Sequence, residues 1–404
     1  MRLVVKRLRR LLPAALGLLA LAAAPKTARY GENFELKPTA LEDSAAAALI
    51  EVQPGRDGEP LRLDPRLAAA ARELAREVQD DPGRQDEIIS SGHALEVIDR
   101  VGVYDAAIHV RSLGFRSEGD IISGVRLHYG PDRIPAMTHL GVGLAPPRAD
   151  RPVGIAVVLL TDRRAALEPF PRAVPCPSSW ILRGRLVNSA RSLEPTVAMT
   201  RPGGATENLT VSRDREFFSA EVTFPEPGLY RVEVVAVGGG KTEMSALLKV
   251  RAGDLPHFEA EVFTVEGPET SPRDPAEAEL MIQDMVNRVR RQEGLSLLPI
   301  DPALARMARA HAEDMKANNY VGHLSPTAGG LAQRAKAAGV RGRVSENVAL
   351  NSSLSGAMNS LLESPVHRRA MLDGQATSLG VGVAIDDADS HRHYYVVQEF
   401  GRDD

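Results

Sequence analysis

The sequence predicts an α/β multidomain protein in which two related α/β units flank a small all-β unit. Three observations support this prediction: the chain length, a long internal repeat, and a central stretch of short alternating runs. The chain has 404 residues, which at about 150 residues per domain corresponds to two or three domains. Hydrophobic residues make up 43% and charged residues 25%, so the composition is that of a globular protein and not of a disordered or polytopic membrane chain.

Charge and cysteine content exclude several classes of site. Lys and Arg number 49 against 53 for Asp and Glu, a formal net charge of −4, and no block of like charge occurs after the first ten residues. We therefore expect no nucleic-acid partner. Cys176 is the only cysteine, which rules out an intrachain disulfide and a cysteine-rich zinc site.

The internal repeat consists of three matching pairs of segments. They are LRLDPRLAAAARELA (61–75) with LLPIDPALARMARAHA (297–312), THLGVGLA (138–145) with TSLGVGVA (377–384), and IAVVLLTDR (155–163) with YYVVQEFGR (394–402). The offset between partners is 237 residues at the first pair and 239 at the others. Residues 40–170 and 276–404 are therefore predicted to be two copies of one unit.

Each copy is expected to place helices over a mainly antiparallel sheet. A helix begins at Asp-Pro, where Asp caps free N–H groups and Pro occupies the first helical position. In the second copy the apolar face of this helix is formed by Leu304, Met307, Ala308, His311 and Met315. An earlier helix carries Ile282, Met285, Val286 and Val289, and the copy closes with the strands GVGVAI and YYVVQEF around the turn DDADSH.

The middle of the chain has a different pattern. Residues 176–252 contain the alternating runs WILRGRLV, FFSAEVTF, YRVEVVAV and SALLKV, separated by Pro, Gly and Asp clusters. Turns about every ten residues favour a small immunoglobulin-like β-sandwich. Residues 253–275, rich in Pro and acidic residues, are interpreted as a linker.

The N-terminus is typical of an export signal. Five basic residues lie within residues 1–10, and the apolar run LLPAALGLLALA follows and ends in small side chains. This pattern predicts a signal peptide over 1–22 and a secreted protein, either extracellular or in the cell envelope. The alternative is a membrane anchor, for which the apolar run is short.

The second copy contains a series of motifs that resembles a known family. NRVRRQEGLSLLPIDPALARMARAHAEDM is followed by YVGHLSP, RAKAAGV, ENVAL, SPVHRRAML, LGVGVA and YYVVQEF. In this order they resemble the bacterial branch of the CAP superfamily (cysteine-rich secretory proteins, antigen 5, pathogenesis-related 1), also called SCP-like. The resemblance implies a three-layer α-β-α sandwich with a cleft of acidic and histidine side chains. The fold class predicted for the whole chain is thus two CAP-type sandwiches, the first degenerate, flanking the β-sandwich.

The resemblance also implies which residues line the cleft. The His of the GHxSP motif falls on His323, the Glu of the GEN motif falls on Glu346, and the His of SPxHR falls on His367. The residue after Glu346, Asn347, is a further hydrogen-bonding candidate. The second cleft His of the eukaryotic members corresponds to Tyr395 here, and His393, two residues earlier on the same strand face, is considered as a substitute.

Two chemical interpretations of these residues stay open. Two His and a carboxylate would suit zinc with an open position, so His323 and His367 are candidate metal ligands, or they could provide a general base and its orienting partner. Alternatively, His323 and Glu346 form a buried hydrogen-bonded pair that holds helices onto the sheet. His311, on an apolar helix face, is expected to be a core histidine. Ser364-Pro365 is expected to cap a helix and place His367 in its first turn.

The first copy is predicted to be degenerate. By sequence offset, Leu74 replaces His311, Asp86 falls at His323 and His109 falls at Glu346. The fold signals survive while the cleft residues do not. We therefore expect a structural or interaction role for residues 40–170.

The functional expectation is a secreted CAP-domain protein that binds a ligand in its C-terminal cleft. The ligand would be a small apolar molecule, a lipid or sterol, or an envelope polysaccharide. One alternative is a metal-assisted extracellular hydrolase, and another is a structural or adhesive surface protein. Enzymatic activity, ligand identity and oligomeric state stay open at this point.

Overall fold

The structure is a computed structural model that describes residues 29–89, 91–130, 134–239, 241–253, 271–387 and 392–403. The predicted signal peptide lies outside the described residues, as do most of the predicted linker and the tip of the DDADSH turn. Among the helices that the structure describes, none is both long and apolar enough to cross a membrane.

The first unit is a four-stranded sheet with helices on both faces. Its helices are α1 (Ala40–Val52), α2 (Pro65–Asp80), α3 (Gln85–Ile88), α4 (Ser91–Arg100) and α5 (Glu118–His128), and its strands are β1 (Arg62–Leu63), β2 (Ile108–Phe115), β3 (His139–Ala145) and β4 (Gly154–Thr161). The strand order is β1-β3-β4-β2, and all pairs except β1–β3 are antiparallel. Helices α1 and α5 pack on one face, and α2 and α4 on the other.

The middle unit consists of two sheets that share one apolar core. Its strands are β5 (Ala165–Leu167), β6 (Ala173–Val174), β7 (Ser178–Leu186), β8 (Glu194–Thr200), β9 (Thr206–Leu209), β10 (Val211–Asp214), β11 (Phe217–Phe224), β12 (Gly228–Gly238) and β13 (Lys241–Ala252). The sheet orders are β10-β11-β7-β5 and β6-β13-β12-β8-β9. Leu182 and Phe224 from the first sheet pack with Tyr230 and Leu248 from the second.

Two strands that precede residue 176 pair with strands of the middle unit. Strand β5 pairs with β7 and strand β6 pairs with β13, so both belong to its two sheets. In the sequence, the apolar residues after β4 look like a continuation of the first unit. Their strand pairing shows that they belong to the middle unit.

The third unit has a three-stranded antiparallel sheet covered on both faces. Its elements are α6 (Pro275–Gln292), α7 (Pro302–Ala317), α8 (Leu331–Ala337), β14 (Arg343–Asn351), α9 (Leu354–Glu363), α10 (Pro365–Met371), β15 (Ser378–Asp386) and β16 (His393–Arg402). Strand β14 is an edge strand, because the order is β14-β16-β15. Val397 of β16 packs toward α7, whereas Val396 packs toward α6 and α9.

The predicted caps and helix faces are confirmed. Asp301 accepts hydrogen bonds from the backbone N–H groups of Ala303 and Leu304 at 2.7 and 2.9 Å, and Pro302 begins α7. The five residues of the predicted apolar face of α7 are all buried, as are the four predicted for α6. The sequence therefore predicted correctly which face of each helix is buried.

Glycines allow α7 to approach the sheet closely. A Cβ added at Gly380 or Gly382 of β15 would overlap the backbone of α7 at Leu304 and Ala308. The first unit repeats this arrangement, because a Cβ at Gly141 or Gly143 of β3 would overlap α2. The two units thus share strand order and helix contact, and this close approach excludes any side chain larger than hydrogen.

The predicted match between His109 and Glu346 is wrong. In the third unit Glu346 faces Glu399, which in turn faces Gly380. The corresponding positions in the first unit hold three apolar or small residues, Val110, Leu159 and Gly141. Because successive strand residues point to opposite faces, His109 lies on the other side of the sheet, beside the ring of Tyr129 at 6.1 Å.

Candidate functional site

The candidate site straddles the edge strand β14. Glu346 and Asn347 are adjacent in the chain, so their side chains point to opposite faces of the sheet. Glu346 contacts His323, which lies in the segment between α7 and α8, whereas Asn347 contacts the backbone of His367 in α10. The sheet edge therefore brings together two histidines that are 44 residues apart in the sequence.

Glu346 is bound on both carboxylate oxygens. Nδ1 of His323 lies 2.8 Å from Oε1, and Arg334 forms an ion pair with Oε2. Burial would raise the pKa of Glu346, but the hydrogen bond from His323 and the charge of Arg334 outweigh it and hold the pKa well below its usual range. The carboxylate is thus ionised at neutral pH, and its Oε1 accepts a hydrogen bond from Nδ1–H of His323. The other ring nitrogen of His323, Nε2, makes no hydrogen bond to a described residue.

Arg334 fixes the segment that carries His323. Its Nη1 donates to the carbonyl oxygens of His323 and Gly329 at 2.7 and 3.0 Å while Nη2 binds Glu346. In the sequence, Arg334 stands out only as the first residue of the motif RAKAAGV. Its position eleven residues after His323 was the feature that could have indicated a contact with the site.

His311 is a core histidine, as predicted, and it also lies behind the site. It is 1% exposed, and its Nε2 lies 2.9 Å from the carbonyl oxygen of Gly322 and 3.9 Å from Oε2 of Glu346. Burial is the main cause that lowers the pKa of His311, so the ring is neutral at neutral pH. His311 thus packs behind the site and hydrogen-bonds Gly322, the residue before His323.

Glu399 is a second buried carboxyl that sequence analysis missed. It lies directly opposite Glu346 on β16 and is 0% exposed. Burial and the charge of Glu346 raise the pKa of Glu399 well above its usual range, so Glu399 keeps its proton at neutral pH. An acidic residue inside the otherwise apolar run YYVVQEF was the signal in the sequence.

On the opposite face, His367 is held by its backbone. Ser364 caps α10 as predicted, because its Oγ accepts a hydrogen bond from the backbone N–H of His367 at 3.3 Å. Nδ2 of Asn347 donates to the carbonyl oxygen of His367 at 3.0 Å and to Oε1 of Gln398 at 3.1 Å. His367 therefore occupies the first turn of α10 with both backbone groups bound.

The ring of His367 is buried and neutral. The residue is 9% exposed, and Nδ1 has no hydrogen-bond partner among the described residues. Burial, together with the nearby ring of His323, lowers the pKa of His367 to about 3. A buried polar nitrogen without a partner costs about 1–3 kcal/mol, so the fold retains this ring against a stability cost.

The two imidazoles meet at one cavity. Their ring centroids are 6.2 Å apart and the planes are tilted by 32°. A cavity of about 810 Å³ is lined by both rings together with Glu346, Asn347 and residues of the middle unit. This volume lies within the range of pockets that bind small molecules.

Two predicted site residues, Tyr395 and His393, lie further along β16, away from the pair of Glu346 and Glu399. Tyr395 is 5% exposed and packs in an apolar cluster with Val348 and Met315 of α7. It faces Leu350, about 13 Å along β14 from Glu346. His393 lies two residues further along β16 and borders a second cavity, which His323 and His367 also line. Tyr395 therefore does not contribute to the cleft, because the strand carries it away from Glu346 into the apolar core, whereas the contribution of His393 stays a prediction.

The predicted zinc site does not fit these residues. Both oxygens of Glu346 are engaged by His323 and Arg334, and the guanidinium next to them opposes a cation. In the part of the chain that the structure describes, no three His, Cys, Asp or Glu side chains converge as metal ligands do. Two imidazoles alone are too few donors for the expected zinc coordination.

Comparison with known proteins is in line with this geometry. The CAP, or cysteine-rich secretory protein, family matches residues 283–400. Over 109 residues the chain is 39% identical to the uncharacterized membrane protein YlbC of Bacillus subtilis, a match that covers 26% of this chain and 31% of YlbC. It is 33% identical over 106 residues to the uncharacterized protein YkwD of the same organism, covering 26% of this chain and 41% of YkwD.

The chain thus spans only 31% and 41% of the length of these two curated relatives. Among solved structures, an extracellular protein containing an SCP domain from Bacillus anthracis aligns with a TM-score of 0.29 and 19% identity, over 55% of this chain and 81% of that chain. The C-terminal unit of the chain is a CAP domain of the bacterial type, with His323, Glu346 and His367 at its sheet edge.

Proposed function

We propose that this chain is a secreted binding protein, extracellular or in the cell envelope, whose CAP cleft binds a hydroxyl-rich envelope glycan. The observation that carries the proposal is the pair of imidazoles, His323 and His367, on one cavity. Because Nδ1 of His323 is bound to Glu346, the ring presents Nε2 to the cavity, where it can hydrogen-bond a sugar hydroxyl.

The wall of this cavity presents polar and apolar surface in about equal measure. Apolar side chains contribute a few residues, among them Leu331, Val366 and Leu372. Polar and charged residues surround the imidazoles, among them Glu346, Asn347, Arg368, Arg369 and Asp373. An acyl chain or sterol would cover Nε2 of His323 without offering it a hydrogen bond, which is unfavourable, so a glycan is the ligand we favour.

A hydrolytic activity is the second candidate, supported by the His323–Glu346 pair. A carboxylate on Nδ1 orients the ring and leaves Nε2 in the position of a general base, which could remove a proton from a bound water. The metal-assisted form of this hypothesis is not supported, since the donor set does not suit zinc.

The domain assignments extend the proposal. The first unit is proposed to be a degenerate CAP copy, because it repeats the strand order and the glycine contact of the CAP domain. The middle unit is proposed to be an immunoglobulin-like sandwich, supported by its two sheets and common core. A structural or adhesive role of these two units is compatible with glycan binding by the third.

The test is sedimentation of the purified full chain with insoluble peptidoglycan sacculi and, in parallel, with phosphatidylglycerol vesicles. The unmodified chain is expected to bind sacculi, and His323→Ala and His367→Ala each to weaken binding about tenfold, the effect of losing about 1.4 kcal/mol. Arg291→Ala, an exposed substitution on α6 outside the cavity, is the control and is expected to bind normally. Binding to vesicles alone, or sacculus binding by both histidine variants as tight as that of the unmodified chain, would contradict the proposal.

A further inference from the structure

The middle unit contacts the short segment that carries His367. Glu233 of β12 is 0% exposed, and its two oxygens accept hydrogen bonds from Oγ of Ser364 at 2.8 Å and from the backbone N–H of Val366 at 2.9 Å. Ser364 is the cap residue of α10. Glu233 therefore satisfies N–H and O–H donors at the start of a helix that belongs to another unit.

Glu363, one residue before Ser364, forms ion pairs with the middle unit. Arg231 of β12 donates two hydrogen bonds of 2.9 Å to the carboxylate of Glu363, and Nζ of Lys249 lies 3.1 Å from the same group. Burial would raise the pKa of Glu363, but the bonds from Arg231 and the charge of Lys249 outweigh it and lower the pKa. The turn between α9 and α10 is thus bound to the middle unit at both of its ends.

The middle unit also forms part of the cavity wall. Gly204, Thr206 and Thr242 line the same cavity as His323 and His367. Gly204 has a φ of 85°, and a Cβ there would lie 3.1 Å from Nη2 of Arg368, so the loop before β9 abuts α10 closely. A ligand between the two imidazoles would therefore also contact residues of a second unit.

We infer that the cleft is a two-domain site, in which Glu233 is a positioning residue for His367 and Thr242 is a specificity residue that contacts the glycan. This inference rests on the proposed function for its ligand. Burial raises the pKa of Glu233 to about 7, and the hydrogen bonds from Val366 and Ser364 limit the rise. A buried carboxyl with two directed hydrogen bonds fixes the orientation of α10, which apolar contacts alone would leave less defined.

The positioning role is tested in the full chain with Glu233→Ala and Glu233→Gln. The readouts are the ring NMR resonance of His367, assigned by its loss in His367→Gln, and sedimentation with peptidoglycan sacculi. Glu233→Ala is expected to shift the resonance and weaken binding about tenfold. Glu233→Gln keeps one carbonyl acceptor and is expected to have a smaller effect on both. Glu221→Gln, on an exposed position of β11, is the matched control and is expected to change neither.

The specificity role is tested with Thr242→Val, which removes a hydroxyl at nearly constant volume. We expect about fivefold weaker binding to sacculi and an unchanged His367 resonance. Thr223→Val, on the exposed surface of the other sheet, is the control. Unchanged binding by Thr242→Val would overturn the assignment of Thr242.

The outcomes separate this inference from the proposed function. If the unmodified chain does not bind sacculi, the proposed glycan function fails, while the His367 resonance of Glu233→Ala still decides the positioning claim. An unchanged resonance in Glu233→Ala overturns that claim. If Glu233→Ala does not fold, Glu233→Gln, which keeps one carbonyl acceptor and leaves the Ser364 cap of α10 intact, decides by the same change or constancy of the resonance.

Discussion

Glu346 and Glu399 face each other on paired strands, and both carboxyl groups are buried. Two negative charges on directly paired, buried residues are strongly unfavourable. The pair therefore holds one proton, which resides on Glu399. Arg334 and His323 compensate the single remaining charge on Glu346. The sheet thus holds an ionised and a protonated carboxyl on neighbouring strands behind the cleft.

This pairing predicts a pH dependence of stability that depends on Glu399. Its folded pKa lies above its unfolded value near 4.5, so the folded state binds more protons between these two values and the free energy of unfolding falls as pH rises through that window. Glu399→Gln, which is always neutral, should be more stable than the unmodified chain at pH 8 by about 1 kcal/mol or more, as measured by urea unfolding. Equal stability of the two proteins at pH 5 and pH 8 would show that Glu399 does not hold the proton.

His367 predicts the opposite dependence on the acid side. Its pKa is about 3 in the folded chain and 6.5 in the unfolded chain, so the unfolded state binds more protons between these values and stability falls as pH falls below 6.5. At pH 5 this loss amounts to about 2 kcal/mol, since one pKa unit corresponds to about 1.4 kcal/mol. His367→Gln should lose less stability than the unmodified chain between pH 7.5 and pH 5. A parallel loss in both proteins would assign the acid sensitivity to other groups.

The Arg334–Glu346 ion pair predicts strong coupling between two buried residues. Removing the cation in Arg334→Met leaves a buried carboxylate with reduced compensation, which should lower stability by about 3–5 kcal/mol. Adding Glu346→Gln should recover part of this loss, which a double-mutant cycle measures. The exposed Arg84–Glu87 pair serves as the control and should show no measurable coupling. Additive losses at Arg334 and Glu346 would contradict a direct interaction.

The close approach of α7 to the sheet predicts a steric effect at Gly382. A methyl group there would overlap the backbone of Ala308, so Gly382→Ala should destabilise the chain by about 1–3 kcal/mol. Gly374→Ala, where the nearest atom lies at 3.7 Å, is the matched control and should be nearly neutral. Thermal unfolding of the two variants compares them directly. Similar melting temperatures would indicate that α7 can move away from β15.

Local patterns predicted much of the CAP domain. The Asp-Pro caps, the buried faces of α6 and α7, and the cap of α10 by Ser364 depend on residues a few positions apart, and all are confirmed. The motifs also identified His323, Glu346 and His367, which the structure brings to one cavity.

Long-range pairing explains what the sequence did not predict. Glu399 and Glu346 become neighbours only through the register of β14 and β16, and the same register moves Tyr395 away from the cleft. Glu233 reaches Ser364 across 131 residues of sequence and two units. No local spacing or periodicity encodes such contacts, because they depend on how separate units pack.

The most direct test of the account is an NMR titration of the full chain with soluble peptidoglycan fragments, observing the ring resonances of its histidines. We predict saturable shifts of His323 and His367, while His139, half-buried in the first unit beside Thr138, stays unchanged. Unchanged resonances of His323 and His367 at saturating fragment concentration would contradict glycan binding in the cleft.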